Sequence, residues 1–566
     1  MALAATIGCL ILYWLGYRFY ARYLSASVFA LDPAAVTPAH ALRDDVDYVP
    51  TNRFVLFGHH YASITGLSPM LGPAIAVIWG WLPGMLWVVV GALLVGCVHD
   101  FSALVMSMRA RGLSVGAITE GLIGSRAKTM FHGIIFFGIA LAMGVFVSVI
   151  STLFTPKFYP QAVMPSFALM GIATVIGALV HRGLVGTGAA AIVGFLLTLF
   201  LVVVASASDA ATVVWDHRDG WGIVLLGYSY LASVLPVWLL LQPRDFINSL
   251  LLYLGILAMY AGFASLRPEF SSPVLVVSPE GAPPMFPFVF VVIACGAVSG
   301  FHGLVSSGTT AKQIERESDA RMIGYGGMIG ESLLGLMAVL ACTAGFSQPA
   351  EWHEHYASWD GANSLGAKIG VFIDGSSRFV SSLGVPANLS TAFIAVVVVS
   401  FALTTLDSAT RLLRYNIAEV AAGLGARREN RYLTSALAVL VIGFFSFYRV
   451  DGRPVGLALW ALFGTTNQLL ASLTLMLATL YLYERGRNYW VALAPAGIMA
   501  VMTAAAMVVN LTEFWARSQW MLLAVGALLM LLAVGIVYEA IRCFTSVRSQ
   551  PRRVDMSVAL PGSESS

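Results

Sequence analysis

Apolar runs close to 20 residues long recur along the chain from Ala2 to Ile541, separated by short polar gaps. A helix needs roughly 20 consecutive apolar residues to cross a bilayer, so the pattern predicts an all-α polytopic membrane protein. Fifteen spans are expected, at residues 2–22, 61–80, 84–106, 131–153, 165–180, 186–206, 221–241, 247–266, 286–310, 323–345, 386–410, 432–447, 455–482, 489–510 and 520–541. Residues 1–24 form a retained helix with its N-terminus outside, because Arg18 and Arg22 follow the apolar run where a signal peptide would carry its positive charge first. Residues 25–545 make up the multi-span core, and residues 546–566, polar and rich in Ser, Pro and Arg, form a disordered tail.

Two spans break the apolar pattern. The first carries Thr65, Gly66, Ser68, Pro69, Gly72 and Pro73. Each proline lacks an N–H and disfavours helix in the residue before it, so a continuous helix is not expected there. The second, between Gly296 and Thr310, holds four glycines and the hydroxyls of Ser299, Ser306, Ser307, Thr309 and Thr310. Irregular backbone at membrane depth is tolerated where it lines a cavity, and paired broken helices point to the central site of a transporter. Free N–H groups at a half-helix start attract anions, and free carbonyls at a half-helix end attract cations. Pro69 or Pro73 suits the start of one half-helix, and Ser306, Ser307 or Thr309 is expected to cap the other. The candidate substrate residues are therefore Thr65, Gly66, Ser68, Gly72, Ser299, Gly300, His302, Ser306, Ser307 and Thr309. Asn467, an amide in the long apolar run 455–482, joins them, either as a ligand or as a lock between helices.

Ionisable groups inside spans supply the coupling candidates. An aspartate at mid-bilayer costs about 3 kcal/mol on insertion scales, so Asp407 needs a partner, Arg411 one turn on, or a function. Thr404 and Thr405 beside it could complete an oxygen cage for a small hard cation, sodium being the natural occupant, or could bond back to the preceding turn. Glu331, two turns into its span, could carry a proton. His302 could do the same with an imidazole that titrates near neutral pH. His99 and Asp100, near the end of residues 84–106, are expected at the headgroup border, and His59 and His60 at the mouth of the first break.

Composition sharpens the class. The 566 residues are 58% hydrophobic and 11% charged, against about 25% charged in soluble domains. The net charge of +3 hides a segregation, because most of the 32 Lys and Arg residues fall in loops on one side of the alternation. That side is cytoplasmic by the positive-inside rule, which places the N-terminus outside and the C-terminus inside. Topology accounts for the positive charge, so nucleic acid is not expected as a partner; the lipid bilayer is. No CxxC pair occurs among the five cysteines, and Glu351-Trp352-His353-Glu354-His355 fits no standard metal spacing. No cofactor is expected beyond a bound sodium ion or proton, and no enzyme activity. Nothing in the residues sets the oligomeric state.

Asp47-Tyr48-Val49-Pro50-Thr51-Asn52, followed by Leu56-Phe57-Gly58-His59-His60, resembles the signature opening of the carbon starvation protein A family. The blocks from Ala294 to Thr310, Thr404-Thr405-Leu406-Asp407, and Leu462-Phe463-Gly464-Thr465-Thr466-Asn467-Gln468 resemble further family blocks in the same order. The resemblance implies a bacterial inner-membrane importer made under nutrient limitation, with peptides and pyruvate as substrates and proton coupling for pyruvate. It also implies an inverted-repeat fold similar to the amino acid, polyamine and organocation transporters, with Thr404 and Thr405 on the helix that supplies hydroxyls to a sodium site. The expected function is alternating-access import of small carboxylates, coupled to protons or sodium. A channel and a nutrient-sensing receptor are the rival readings.

Overall fold

The computed structural model describes residues 1–208, 212–425, 430–447, 449–450, 453–454 and 460–549. Nearly all of it is helix. In chain order, α1 (Ala2–Val28) precedes a broken span made of α2 (Arg53–Ile64) and α3 (Ser68–Trp79), bent by 48°. Next come α4 (Trp81–Arg109), α5 (Ser125–Leu153), α6 (Pro160–His181), α7 (Thr187–Ala207), α8 (Arg218–Val234) and α9 (Leu241–Leu266). The second broken span is α10 (Met285–Ile293) with α11 (Gly300–Gly308). After it come α12 (Glu317–Ala344), α13 (Leu365–Ser381), α14 (Ala387–Gly423), α15 (Arg431–Phe447), α16 (Trp460–Glu484), α17 (Trp490–Ala516) and α18 (Trp520–Ser549). Among the described residues the only sheet is a two-residue hairpin pairing Arg449 and Val450 with Pro454 and Arg453.

Eleven of the described helices are long and apolar enough to cross a membrane, or twelve with the bent pair as one span. Fifteen were expected. The other three fall on α8 and α15, each 17 residues, and on α16, 25 residues. Seventeen residues of helix rise about 26 Å, short of the roughly 30 Å hydrocarbon core. The expected span 221–241 stops at Val234, and the chain leaves the helix until Leu241. At the C-terminus α18 continues through residues 546–549, where a disordered tail was expected; residues 550–566 of that expected tail lie outside the described residues.

Burial separates a core from a lipid-facing rim. In an apolar stretch of 18 residues from each helix, 89% of the residues are buried in the second broken span and in α14 and 83% in α5 and α12, against 22% in α1 and 28% in α18. Lipid is as apolar as leucine, so the core helices associate through close packing and polar contacts rather than through a hydrophobic drive. Gly72 shows the first device: a Cβ there would stand 2.9 Å from Ile293 Cα, so only glycine lets α3 cross α10.

The two broken spans run antiparallel. Thr51, ahead of α2, bridges Ile314, beyond α11. One step inward His60 Nδ1 lies 2.8 Å from Thr310 Oγ1, and α3 crosses α10 at Gly72. At the far end Trp81 and Leu82 donate backbone N–H groups to Pro273 and Val274, each at 3.2 Å. The halves therefore approach the membrane from opposite sides, the arrangement that inverted repeats produce.

Candidate functional site

The first break opens where Ile64 ends α2 and Thr65 leaves helical geometry at φ −78, ψ 95. Helix resumes at Ser68 with Pro69 in its first turn, where the missing N–H costs nothing. Pro73 instead lies inside α3. A Cβ on Gly66 would sit 3.0 Å from Thr405 Oγ1, so α14 closes one wall of this break.

The second break begins at Ala294, whose φ of 23 ends α10, and lasts to Ser299, extended at φ −135, ψ 123. The cap of α11 is supplied from another helix. Asn467 Oδ1 on α16 accepts from Phe301 N at 2.9 Å and from Ser299 Oγ at 3.2 Å, while its Nδ2 reaches Cys295 Sγ at 3.1 Å. One amide thus ties both edges of the break and satisfies an orphan N–H of the half-helix. Gly300 is required for it: a Cβ there would stand 2.6 Å from Ala471 N.

The expected substrate residues divide. Thr65 and Ser306 are buried with hydroxyls that have no hydrogen-bond partner among the described residues. Ser307 Oγ returns to Gly303 O at 2.7 Å, and Thr309 Oγ1 to Val305 O at 3.0 Å, so neither caps a half-helix. Gly72 serves the helix crossing and Asn467 the cap. Ser68, Ser299, Gly300 and His302 stand on the breaks themselves.

His302, on the first turn of α11, lies between two carboxylates. Its Nδ1 is 2.9 Å from Asp100 Oδ2 on α4, and its Nε2 is 2.7 Å from Glu331 Oε2 on α12. His99 Nδ1 approaches the other Asp100 oxygen at 2.7 Å. All four side chains are fully buried. His99 and Asp100, expected at a headgroup border, are thus enclosed by protein, with α4 packed against α11, α12 and α16.

A second ionic cluster gathers on Asp407. Its partner is Arg244, together with the hydroxyl of Tyr228 from α8. Arg244 also forks onto Asp245 Oδ1 at 2.7 and 3.1 Å, and Asp245 Oδ2 meets His59 Nδ1 at 2.7 Å. Arg411, the expected partner of Asp407, instead donates to the carbonyls of Ala232 and Leu235, where α8 has ended and left acceptors open. Thr404 Oγ1 bonds back to Ser400 O at 2.7 Å and accepts from Asn248 Nδ2 at 2.7 Å. Thr405 Oγ1 reaches Ser63 O at 3.5 Å. His59 and His60 are buried among these groups rather than at a mouth.

Sequence reasoning missed Arg244, Asp245, Tyr228 and Asn248. Arg244 and Asp245 were assigned to a loop between two spans, yet they are 1% and 0% exposed. A signal was available, because they are the only charged residues from Gly220 to Leu266.

Comparison with known proteins follows the same lines. The family model described as carbon starvation protein CstA matches residues 1–354 and 346–506. The peptide transporters CstA of Campylobacter jejuni and Escherichia coli are each 31% identical over 89% of this chain, covering 79% and 80% of their own lengths. The pyruvate/proton symporter BtsT of Escherichia coli is 30% identical over 89% of this chain and 80% of its own. Among solved structures, MhsT in complex with L-phenylalanine aligns with a TM-score of 0.48 at 12% identity, over 86% of this chain and 99% of that one. With the family model running through both breaks and both ionic clusters, the chain belongs to the carbon starvation protein CstA family.

Proposed function

We propose that this chain is a secondary active transporter that imports small carboxylate-bearing nutrients by alternating access around the two breaks, drawing on a proton or sodium gradient. The observation that carries the reading is the antiparallel pair of broken spans with the unpartnered hydroxyls of Thr65 and Ser306 buried beside them. A substrate that hydrogen-bonds there meets hydroxyls that have no protein partner among the described residues. The relatives named above carry peptides or pyruvate. These share one chemical feature, a terminal carboxylate, which accepts hydrogen bonds from hydroxyls such as those of Thr65 and Ser306. On this reading the protein sits in the bacterial inner membrane with its N-terminus outside and its C-terminus cytoplasmic, and serves cells short of carbon.

Proteoliposomes loaded with buffer and supplied with labelled pyruvate, dipeptide or tripeptide test it, with proton and sodium gradients imposed separately. Accumulation above the external concentration of at least one carboxylate, under one gradient, is expected. Equilibration without accumulation under either gradient would instead identify a channel.

A further inference from the structure

Two N···O contacts to one imidazole set a proton count. A neutral imidazole has one N–H and one lone pair, and a bare ring nitrogen within 2.7 or 2.9 Å of an ionised carboxylate oxygen is repelled unless one of the two groups carries a further proton. His302 holds both contacts at once, Nδ1 to Asp100 and Nε2 to Glu331. Either the ring is an imidazolium between two carboxylates, or one of the carboxyl groups is an acid.

The two acids are held unequally. Asp100 places one oxygen on His99 and the other on His302, so both of its oxygens meet ring nitrogens that can donate. Glu331 has no such support: its Oε1 has no partner among the described residues, and its contact with His302 is close enough for an ion pair but lies off the axis of a hydrogen bond. Among the described residues no Lys or Arg pairs with either acid. The other titratable groups nearby are the Cys97 and Cys295 thiols, the Tyr61 phenol, and His60, which is engaged with Thr310. An anionic Asp100 and an imidazolium His302 cancel, so an ionised Glu331 leaves one net negative charge in the buried core. One added proton removes it.

Placement ties that proton to the moving parts. Glu331 follows Gly330, whose carbonyl accepts from Tyr61 Oη on α2 at 2.8 Å, and His302 rides on α11. The acid therefore stands between the half-helices of both broken spans. A substrate carboxylate in the adjacent breaks adds a negative charge and favours the protonated acid, and the protonated acid in turn favours the carboxylate; such linkage is reciprocal. The geometry points to the His302–Glu331 pair as the proton-carrying site that couples transport, with Asp100 and His99 as positioning residues. One O–H bond forms on Glu331 on the side of substrate uptake and breaks on the side of release, so the proton travels with the substrate and no other bond changes.

This inference rests on the transport reading, and the test separates the two. In proteoliposomes under an inward proton gradient without sodium, the wild-type protein is expected to concentrate labelled substrate. Glu331→Gln is expected to exchange labelled for unlabelled substrate at a comparable rate while its accumulation falls at least tenfold, to equilibration. In weakly buffered detergent solution, substrate binding is expected to take up a proton with the wild-type protein and none with the variant. A wild-type protein that moves no carboxylate under any gradient overturns the transport reading itself. A wild-type protein that transports while Glu331→Gln accumulates equally well overturns the assignment alone, as does wild-type accumulation driven by sodium and indifferent to protons. Where Glu331→Gln does not fold, Glu331→Asp serves: a displaced pH profile of accumulation supports the site, and an unchanged profile overturns it. Asp100→Asn is expected to displace the same profile while retaining exchange, which a purely structural contact would not do.

Discussion

Each of the two buried ionic clusters holds two carboxylates, and the clusters differ in the base that stands between them. Around Asp407 and Asp245 the base shared by both acids is Arg244, which stays charged at any pH a cell meets, while His59 meets only the Oδ2 oxygen of Asp245. Around Asp100 and Glu331 the base is His302, whose imidazole exists in both a protonated and a neutral form. The first cluster joins α2, α8, α9 and α14 with a charge that cannot leave. The second joins α4, α11 and α12 with one that can. Equal burial therefore does not mean equal role: the arginine cluster is suited to holding helices in register, the histidine cluster to changing state within a transport cycle.

Arg244→Met offers the strongest way to break this comparison. It leaves two aspartates buried without their cation, and breaking a buried pair from one side costs about 3–5 kcal/mol, a large part of a typical stability of about 5–15 kcal/mol. Little monodisperse protein is expected by fluorescence-detected size exclusion. Adding Asp407→Asn, which removes one of the stranded charges, is expected to recover part of it. Wild-type yield and thermal stability in the single variant would show that the arginine cluster locks nothing.

Asp407→Asn alone is the next largest, and it addresses function. Arg244 keeps Asp245 and Tyr228, so the fold is expected to survive with a lowered melting temperature. Accumulation is expected to keep its dependence on the proton gradient. Exchange without accumulation in this variant would move the proton to the arginine cluster and overturn the division of labour drawn above.

How far the sequence foretold these clusters follows from depth and from partner choice. The apolar runs and the glycine and proline interruptions are local, so the spans and both breaks were legible, as were Glu331 and His302 inside their runs. Asp407 was legible as an acid in need of a partner, but its partner was not. A helix offers Arg411 one turn away, and only tertiary packing brings Arg244 across from α9. His99 and Asp100 were placed at a boundary because they sit late in an apolar run, whereas α4 continues as helix to Arg109. Asn467 was legible as a polar group in lipid-like surroundings. That it caps a half-helix 166 residues away along the chain could not be read from spacing.

The smallest effect expected concerns a buried base that has no acid to answer it, and it sharpens what the acids contribute in the two clusters. Lys368 on α13, outside the spanning helices, is 5% exposed; its Nζ donates to Asn363 Oδ1 at 2.9 Å and lies 4.9 Å from the centre of the Trp460 ring. Among the described residues no carboxylate forms an ion pair with it. Burial without an anion brings its amine down from 10.5 to about 7. The unfolded chain then holds a proton that the folded protein gives up throughout the range between those two values, so stability rises with pH across that window. Lys368→Met does not titrate. It is expected to melt about 2 °C above the wild-type protein near pH 7, with the gap closing as the pH approaches that of an ordinary lysine. A gap that stays constant over the same range would mean that Lys368 keeps its charge when buried, stabilised by the amide and the indole face alone. In that case a carboxylate partner would not be what distinguishes a settled buried cation from an unsettled one.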